Sequence, residues 1–209
     1  MGSEMCIRDS DYAVKLNGAF FYTDYESLQF VVRPQLAPLT YNAGAASIRG
    51  FEVEWTSVPN PNWLITGGFG YIDGKYEELG PLVLATGIDF DSELQHTPKF
   101  KVSTGVAYTL GLNDYGFVTA NVNLSYQDKI YFDAVNTEAL AQDGYLLANV
   151  ALTWEDVDEN WRVSLGVTNA TDKLYRVAGF SALGGSGSYA ESTYARPREW
   201  SLSIKRRFD

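Results

Sequence analysis

A single cysteine, Cys6, excludes an intrachain disulfide framework. No run of 18 apolar residues occurs, which excludes a transmembrane helix. It does not exclude a membrane β-barrel, whose strands are only about half apolar. Proline is scarce, at 7 of 209 residues, while aromatics reach 14%; that balance favours strands, where aromatic side chains suit a pleated surface. Basic residues are outnumbered, 16 Lys and Arg against 26 Asp and Glu, so recognition of nucleic acid by a basic face is excluded. The acids lie mainly between apolar runs, as at Asp89, Asp91, Glu93, Glu138 and Asp143. They read as solvated surface, with attraction of cations or divalent-bridged lipid head groups as the sharper alternative. The lone histidine, His96, leaves no His-rich metal site and no Ser-His-Asp triad, and its place before Thr97-Pro98 reads as strand entry.

What is present is alternation. From about residue 12 onward, period 2 dominates and helical periodicity is scarce. Val118, Ala120, Val122, Leu124 and Tyr126 oppose Thr119, Asn121, Asn123, Ser125 and Gln127. The runs beginning at Phe100, Leu146, Trp161 and Trp200 repeat the pattern, and Ile48 to Trp55, Trp63 to Tyr71 and a long Lys15 to Val32 complete eight strands. The expected fold class is all-β, an antiparallel up-and-down meander of about eight long strands, forming a segment of a transmembrane β-barrel.

Two features favour a membrane over a soluble sandwich or a lipocalin-type barrel, since alternation alone does not decide. Connections alternate strictly between short (around Pro59 to Pro61, Gly111 to Asp114, Asp156 to Asn160) and long (Arg33 to Ala45, Gly74 to Thr97, Phe132 to Gly144, Tyr175 to Tyr194). A barrel with tight turns on one side of a membrane and loops on the other sorts its connections in this way. Four of the five tryptophans, Trp55, Trp63, Trp154 and Trp161, flank short turns, as expected of an interfacial girdle. Trp200 and Phe208 share parity eight residues apart, about 26 Å along a strand, enough to bracket a tilted apolar band about 25 Å tall. The reading requires Val122, Leu152, Leu165 and Leu202 to face lipid; their meeting in a common interior would overturn it.

Asn169-Ala170-Thr171-Asp172-Lys173-Leu174-Tyr175-Arg176 resembles the Asn-Leu-Thr-Asp-Lys-x-Tyr segment of TonB-dependent receptors, and Tyr194 to Phe208 resembles their final strand. Ile48-Arg49-Gly50-Phe51-Glu52-Val53-Glu54 is similar to the family's Lys-Gly-x-Glu-x-Glu strand, and His96-Thr97-Pro98-Lys99-Phe100 to its entry into the next one. The resemblance spans roughly residues 12 to 208, with departures at Ala170, Asp209 and Arg206, the last on a lipid-facing parity that an interfacial arginine tolerates by snorkelling. It implies the C-terminal third of a barrel of about 22 strands in the bacterial outer membrane. A plug domain and a TonB-contacting segment would lie N-terminal to it.

The resemblance further implies energy-coupled uptake of a scarce nutrient, a ferric siderophore first among them, and no bond chemistry. No catalytic residue, metal site or cofactor is expected. The implied partners are outer-membrane lipid and lipopolysaccharide, TonB, the barrel assembly machinery through the C-terminal strand, and a small-molecule metal chelate. Recognition by loops on a rigid scaffold makes Tyr76, Asp89, Phe90, Asp91, Tyr131, Phe132, Tyr175, Arg176, Phe180 and Tyr189 the ligand candidates. A complete eight-stranded barrel with a structural or adhesion role is the alternative.

Residues 1–10 have no apolar stretch of signal-peptide type, break the alternation, and resemble a translated sequencing adapter. They are expected to be a non-native leader to a folded segment 11–209. Asp89, Asp91 and Glu93 have an alternate spacing that suits a hard cation only weakly. Gly184-Gly185-Ser186-Gly187 reads as a flexible loop, not a phosphate cradle. Asp156, Asp158 and Glu159 read as hydrating a turn. Lys101, Arg162, Lys205 and Arg207 take lumenal parity, with Glu52 or Glu54 as expected partners.

Overall fold

A computed structural model describes residues 3–8, 14–32, 39–42, 44–181 and 189–208. The Gly184–Gly187 loop and Asp209 lie outside the described residues, as do parts of the segment 1–13 and of the Arg33 to Ala45 connection. Nine antiparallel strands form one sheet in the order β1 (Ser3–Arg8), β2 (Val14–Tyr25), β5 (Gly44–Ser57), β6 (Trp63–Leu79), β7 (Phe100–Gly111), β8 (Phe117–Gln127), β9 (Tyr145–Glu155), β10 (Trp161–Thr168) and β13 (Glu199–Arg206). Two further hairpins, β3 (Gln29–Val32) with β4 (Leu39–Asn42) and β11 (Arg176–Ser181) with β12 (Ala190–Tyr194), lie within long connections. The meander is as expected. Among the described residues β1 and β13 are its unpaired edges, so the sheet is not closed.

The eight expected strands are present with three adjustments. Lys15 to Val32 is not one strand: β2 ends at Tyr25, the chain bends through Ser27 at φ 57°, and β3 joins a separate hairpin. β6 runs to Leu79, eight residues beyond the alternating stretch, paired with the first residues of β5. That extension carries Asp73, Lys75 and Glu77, because hydrophobic alternation fades once both faces of a strand meet water or loops. The ninth strand is Ser3–Arg8, which pairs along Lys15 to Phe20; main-chain pairing at an open edge needs no particular side-chain pattern.

Register carries one apolar face across the sheet. Ala120, Leu152, Leu165 and Leu202 stand in one row, and Val106, Val122, Val150, Val167 and Trp200 in the next. Val122, Leu152, Leu165 and Leu202 are 37, 50, 48 and 68% exposed, so they line a common outer surface and not a shared interior. The opposite face presents Asn121, Asn123, Ser103, Ser125, Ser164 and Ser203. On the apolar face Phe51 packs between Phe20, Phe69 and Tyr71 at centroid distances of 5.9, 5.6 and 5.8 Å. The Trp55 ring lies over Gly67 on the neighbouring strand, where any Cβ would collide with it, an aromatic covering the gap that a strand glycine leaves.

The short turns are built by side chains as much as by backbone. Asn60 Oδ1 accepts from the Asn62 amide at 3.0 Å. In the turn 112–116 the Leu112 amide donates to the Gly116 carbonyl at 2.7 Å. Gly116 has φ 91°, and a side chain there would strike the Glu155 carbonyl; only glycine adopts this backbone without strain. Asp156 does more than hydrate its turn: its Oδ1 accepts from the Trp161 amide at 2.7 Å. At this end Trp154 Nε1 donates to the Tyr115 carbonyl at 2.8 Å, and Trp63 packs on Tyr108 at 4.7 Å. An apolar ring with a satisfied polar edge suits an interfacial depth.

Candidate functional site: the loop layer

The long connections leave the sheet at the opposite end, and every buried apolar residue of the described chain lies there. Ala46, Tyr76, Leu79, Val83 and Ile88 form one cluster, with Leu28, Leu94 and Ala134 packed against it; Ile130, Phe132, Leu140 and Ala141 are also buried. Val83 lies on α1 (Pro81–Leu84), one helical turn started by a proline after Gly80. Leu94 packs over Gly74, whose side shares parity with Gly70 and Glu52 on the polar face. The connection 80–99 therefore folds back over the polar side of the sheet and leaves the apolar side uncovered.

Connection 128–144 is the hub. Toward 80–99, Asn136 Oδ1 accepts from the Glu93 amide at 2.6 Å while its Nδ2 donates to the Glu93 carbonyl at 2.9 Å. The His96 amide donates to the Tyr131 carbonyl at 2.9 Å, and the His96 ring meets Phe132 edge-on at 5.4 Å. Toward 169–198, Gln142 Oε1 accepts from the Arg176 amide and the Ala141 carbonyl accepts from Arg176 Nη1, both at 2.7 Å. Phe132 packs on Gly179, and Tyr145 stacks on Tyr175 at 4.5 Å. Within the hub Lys129 Nζ donates to Glu138 Oε1 at 2.6 Å, and Tyr131 donates to the other oxygen at 3.2 Å. The hydrogen bond from Lys129 holds the exposed Glu138 carboxyl below the usual carboxylate range, and the same bond raises Lys129.

The candidate residues fall into two groups. Tyr76 and Phe132 are buried in inter-loop packing, and Arg176 is spent on Ala141 with its guanidinium 5.7 Å from the Tyr194 ring. Tyr175 is half-buried in its stack on Tyr145. Asp89, Phe90, Asp91 and Tyr189 are exposed, while Tyr131 and Phe180 are half-buried, Phe180 lying 6.1 Å from Tyr189. The Asp89 carboxylate accepts from the Asp91 amide and the Ser92 hydroxyl within its own turn, and Glu93 pairs with Lys99 at 2.9 Å. Among the described residues no group of three or more His, Cys, Asp or Glu is placed to hold a metal ion.

Two expectations change. His96 is a loop residue at φ 57°, four positions before β7 begins. Arg162 pairs with Glu155 at 2.8 Å, not with Glu52 or Glu54, because the two stand opposite each other across adjacent strands. Within the long Tyr175 to Tyr194 connection the chain forms the β11–β12 hairpin.

Residues overlooked in the alternation are the asparagine and glutamine anchors Asn136, Gln142, Asn149 and Asn169. Their signal is local, an asparagine where the backbone turns left-handed: Asn136 at φ 57° and Asn169 at φ 48°. Asn169 is buried. Its amide donates to Asn149 Oδ1 at 2.9 Å, its Oδ1 accepts from Lys173 at 2.8 Å, and its Nδ2 donates to the Lys173 and Arg196 carbonyls at 2.9 and 3.4 Å. Asp172 Oδ1 accepts from the Arg198 amide at 3.0 Å. The Asn-x-x-Asp-Lys segment thus ties the exit of β10 to the entry of β13, a structural reason for its residue types.

A family model described as TonB dependent receptor-like, beta-barrel matches residues 8–170. The probable TonB-dependent siderophore receptor PiuA of Acinetobacter baumannii is 25% identical over 171 residues, covering 79% of this chain and 22% of that protein. The crystal structure of the ferric yersiniabactin uptake receptor FyuA from Yersinia pestis superposes with a TM-score of 0.80 at 20% identity, over 100% of this chain and 30% of that one. The closed form of the ferric-catecholate import receptor Fiu from E. coli K12 gives 0.71 at 21% identity, over 99% and 27%. The chain thus spans less than a third of these relatives, and the structural matches, which reach its last strand, speak for the fold.

Proposed function

Since this chain belongs to the TonB-dependent receptor β-barrel family of the bacterial outer membrane, a family of receptors and not of enzymes, we propose that it forms part of an importer of a ferric siderophore. The observation that carries this reading is the loop layer: three long connections, cross-tied through residues 128–144, gathered on the polar side of a sheet whose other side is apolar. A rigid wall with recognition loops at one end suits capture of a bulky chelate. The energy would come from TonB acting on a plug contributed by sequence N-terminal to this segment. The apolar face would meet lipid, with lipopolysaccharide at the loop side, and β13 would engage the assembly machinery.

In this reading the candidates divide by role. Tyr131, Phe180, Tyr189, Asp89 and Asp91 contact the ligand, while Tyr76, Phe132, Tyr175 and Arg176 hold the loops that present them. The test is uptake of iron-55 chelates by cells producing the whole receptor, with Tyr131→Ala and Tyr189→Ala beside the parent. The proposal expects one ferric siderophore to be taken up in a TonB-dependent manner and its affinity to fall in these variants. Uptake that is absent for all ferric chelates, or independent of TonB, would sink it.

A further inference from the structure

At the short-turn end of the last strand pair one cation, Arg206, takes the apolar face of the sheet. Arg49, Arg162, Arg196 and Arg198 each have a carboxylate within 3.8 Å. Arg206 has none among the described residues, as is also true of its neighbours Lys205 and Arg207; what distinguishes it is contact with two aromatic rings. It stands directly opposite Trp161 in the β10–β13 ladder, on the apolar face, and Phe208 follows it with the same parity. The guanidinium carbon lies 4.9 Å from the Trp161 ring centroid and 4.8 Å from that of Phe208, so two aromatic rings hold it. The Arg207 amide, donating to the Asn160 carbonyl at 2.8 Å, pins the strand end against the turn 156–160.

We propose that Trp161, Arg206 and Phe208 form a binding site for the phosphate of an anionic phospholipid in the leaflet facing the short turns. The argument is one of depth and charge. A cation on a lipid-facing surface is tolerated near the interface because its head group reaches polar material. Two ring contacts hold the guanidinium in place, and no carboxylate of the described residues pairs with its N–H donors. A planar guanidinium matches phosphate oxygens with paired hydrogen bonds. Lys205 and Arg207 flank it in sequence on the opposite parity, and the three successive cations add a local positive field in a chain whose net charge is −10. That field disfavours a zwitterionic head group, whose ammonium would be repelled, and the aromatic faces that could hold such an ammonium are already occupied by Arg206.

The test is lipid retention by the whole receptor in mild detergent, read by native mass spectrometry with phosphatidylglycerol and phosphatidylcholine. The parent should retain phosphatidylglycerol in preference. Arg206→Gln should lose about fivefold of that preference, the worth of one cation at a charged lipid surface, while Arg206→Lys should lose part of it because an ammonium does not stack as a plane. A heat-modifiable band on a gel confirms that each variant is folded. Should Arg206→Gln fail to fold, the Trp161→Leu/Phe208→Leu double variant, which keeps the charge, must weaken retention. Undiminished retention in folded Arg206→Gln or in the double variant overturns the site. So does equal displacement of the lipid by inorganic phosphate, which would mark a general anion site.

Discussion

The wall and the loop layer obtain their order in different ways. Along the strands the apolar side chains are exposed or half-buried, and no buried apolar residue of the described chain lies within the short-turn half of the sheet. Cohesion there comes from an unbroken ladder from β1 to β13, which in hydrocarbon is obligatory because each unpaired main-chain group costs several kcal/mol. The loop layer is organised like a small water-soluble domain, with a buried aliphatic cluster, asparagine anchors and exposed ion pairs. One chain thus follows two solvent rules, and the boundary is visible on the outward face, where Phe51 and Tyr71 give way to the Arg49–Asp73 pair at 2.6 Å.

The sharpest way to break this contrast is a charge on each face of the wall. Val150→Arg, at the middle of the apolar face of β9, should cost about 2–4 kcal/mol, measured by denaturant unfolding in a bilayer. Asn121→Arg, between Ala107 and Ala151 on the polar face, should leave stability unchanged. Equal costs would mean that the faces are misassigned.

A smaller effect is expected at the junction. Asn169→Ala removes several hydrogen bonds of a buried side chain and should cost about 1–3 kcal/mol. Asn169→Gly, which relieves the left-handed backbone, should recover little if hydrogen bonding dominates. Val83→Ala should cost about 1–2 kcal/mol, felt as faster proteolysis between residues 80 and 99 while the wall keeps its heat-modifiable migration. Joint loss of loops and wall would show that the two regions are one cooperative unit.

The smallest effect concerns pH. Glu138 is depressed, so its contribution is complete above the ordinary carboxylate value of 4.5 and disappears as pH falls through its lower folded value. Lys129 is raised, so its contribution is complete below the ordinary 10.5 and disappears only above its higher folded value. Cleavage within residues 128–144 should therefore be flat between those ordinary values and rise on acidification. Glu138→Gln should remove most of the acid response, and an unchanged response would show that the pair does not order the loop.

Much of the wall was legible because a two-sided sheet writes period 2 into its sequence. Val118 to Gln127 and Trp161 to Thr168 match β8 and β10 to within a residue. The legibility ended where that constraint ended. Beyond Tyr71 the continuation of β6 carries no alternation, and the bend at Ser27 interrupts a run of strand-forming residues that looks continuous. In the loop layer residue type alone did not separate Tyr76 and Phe132, which are buried, from Tyr189, which is exposed.

By itself the sequence determined the meander, the sorting of its turns and the split between an apolar and a polar face, since strand pairing and side-chain parity are local properties repeated along the chain. Only the tertiary structure decided how the long connections join through Asn136, Gln142 and Arg176, and that Arg206 comes to rest between Trp161 and Phe208. Those contacts join positions brought together by strand register and loop closure, and no local period encodes them.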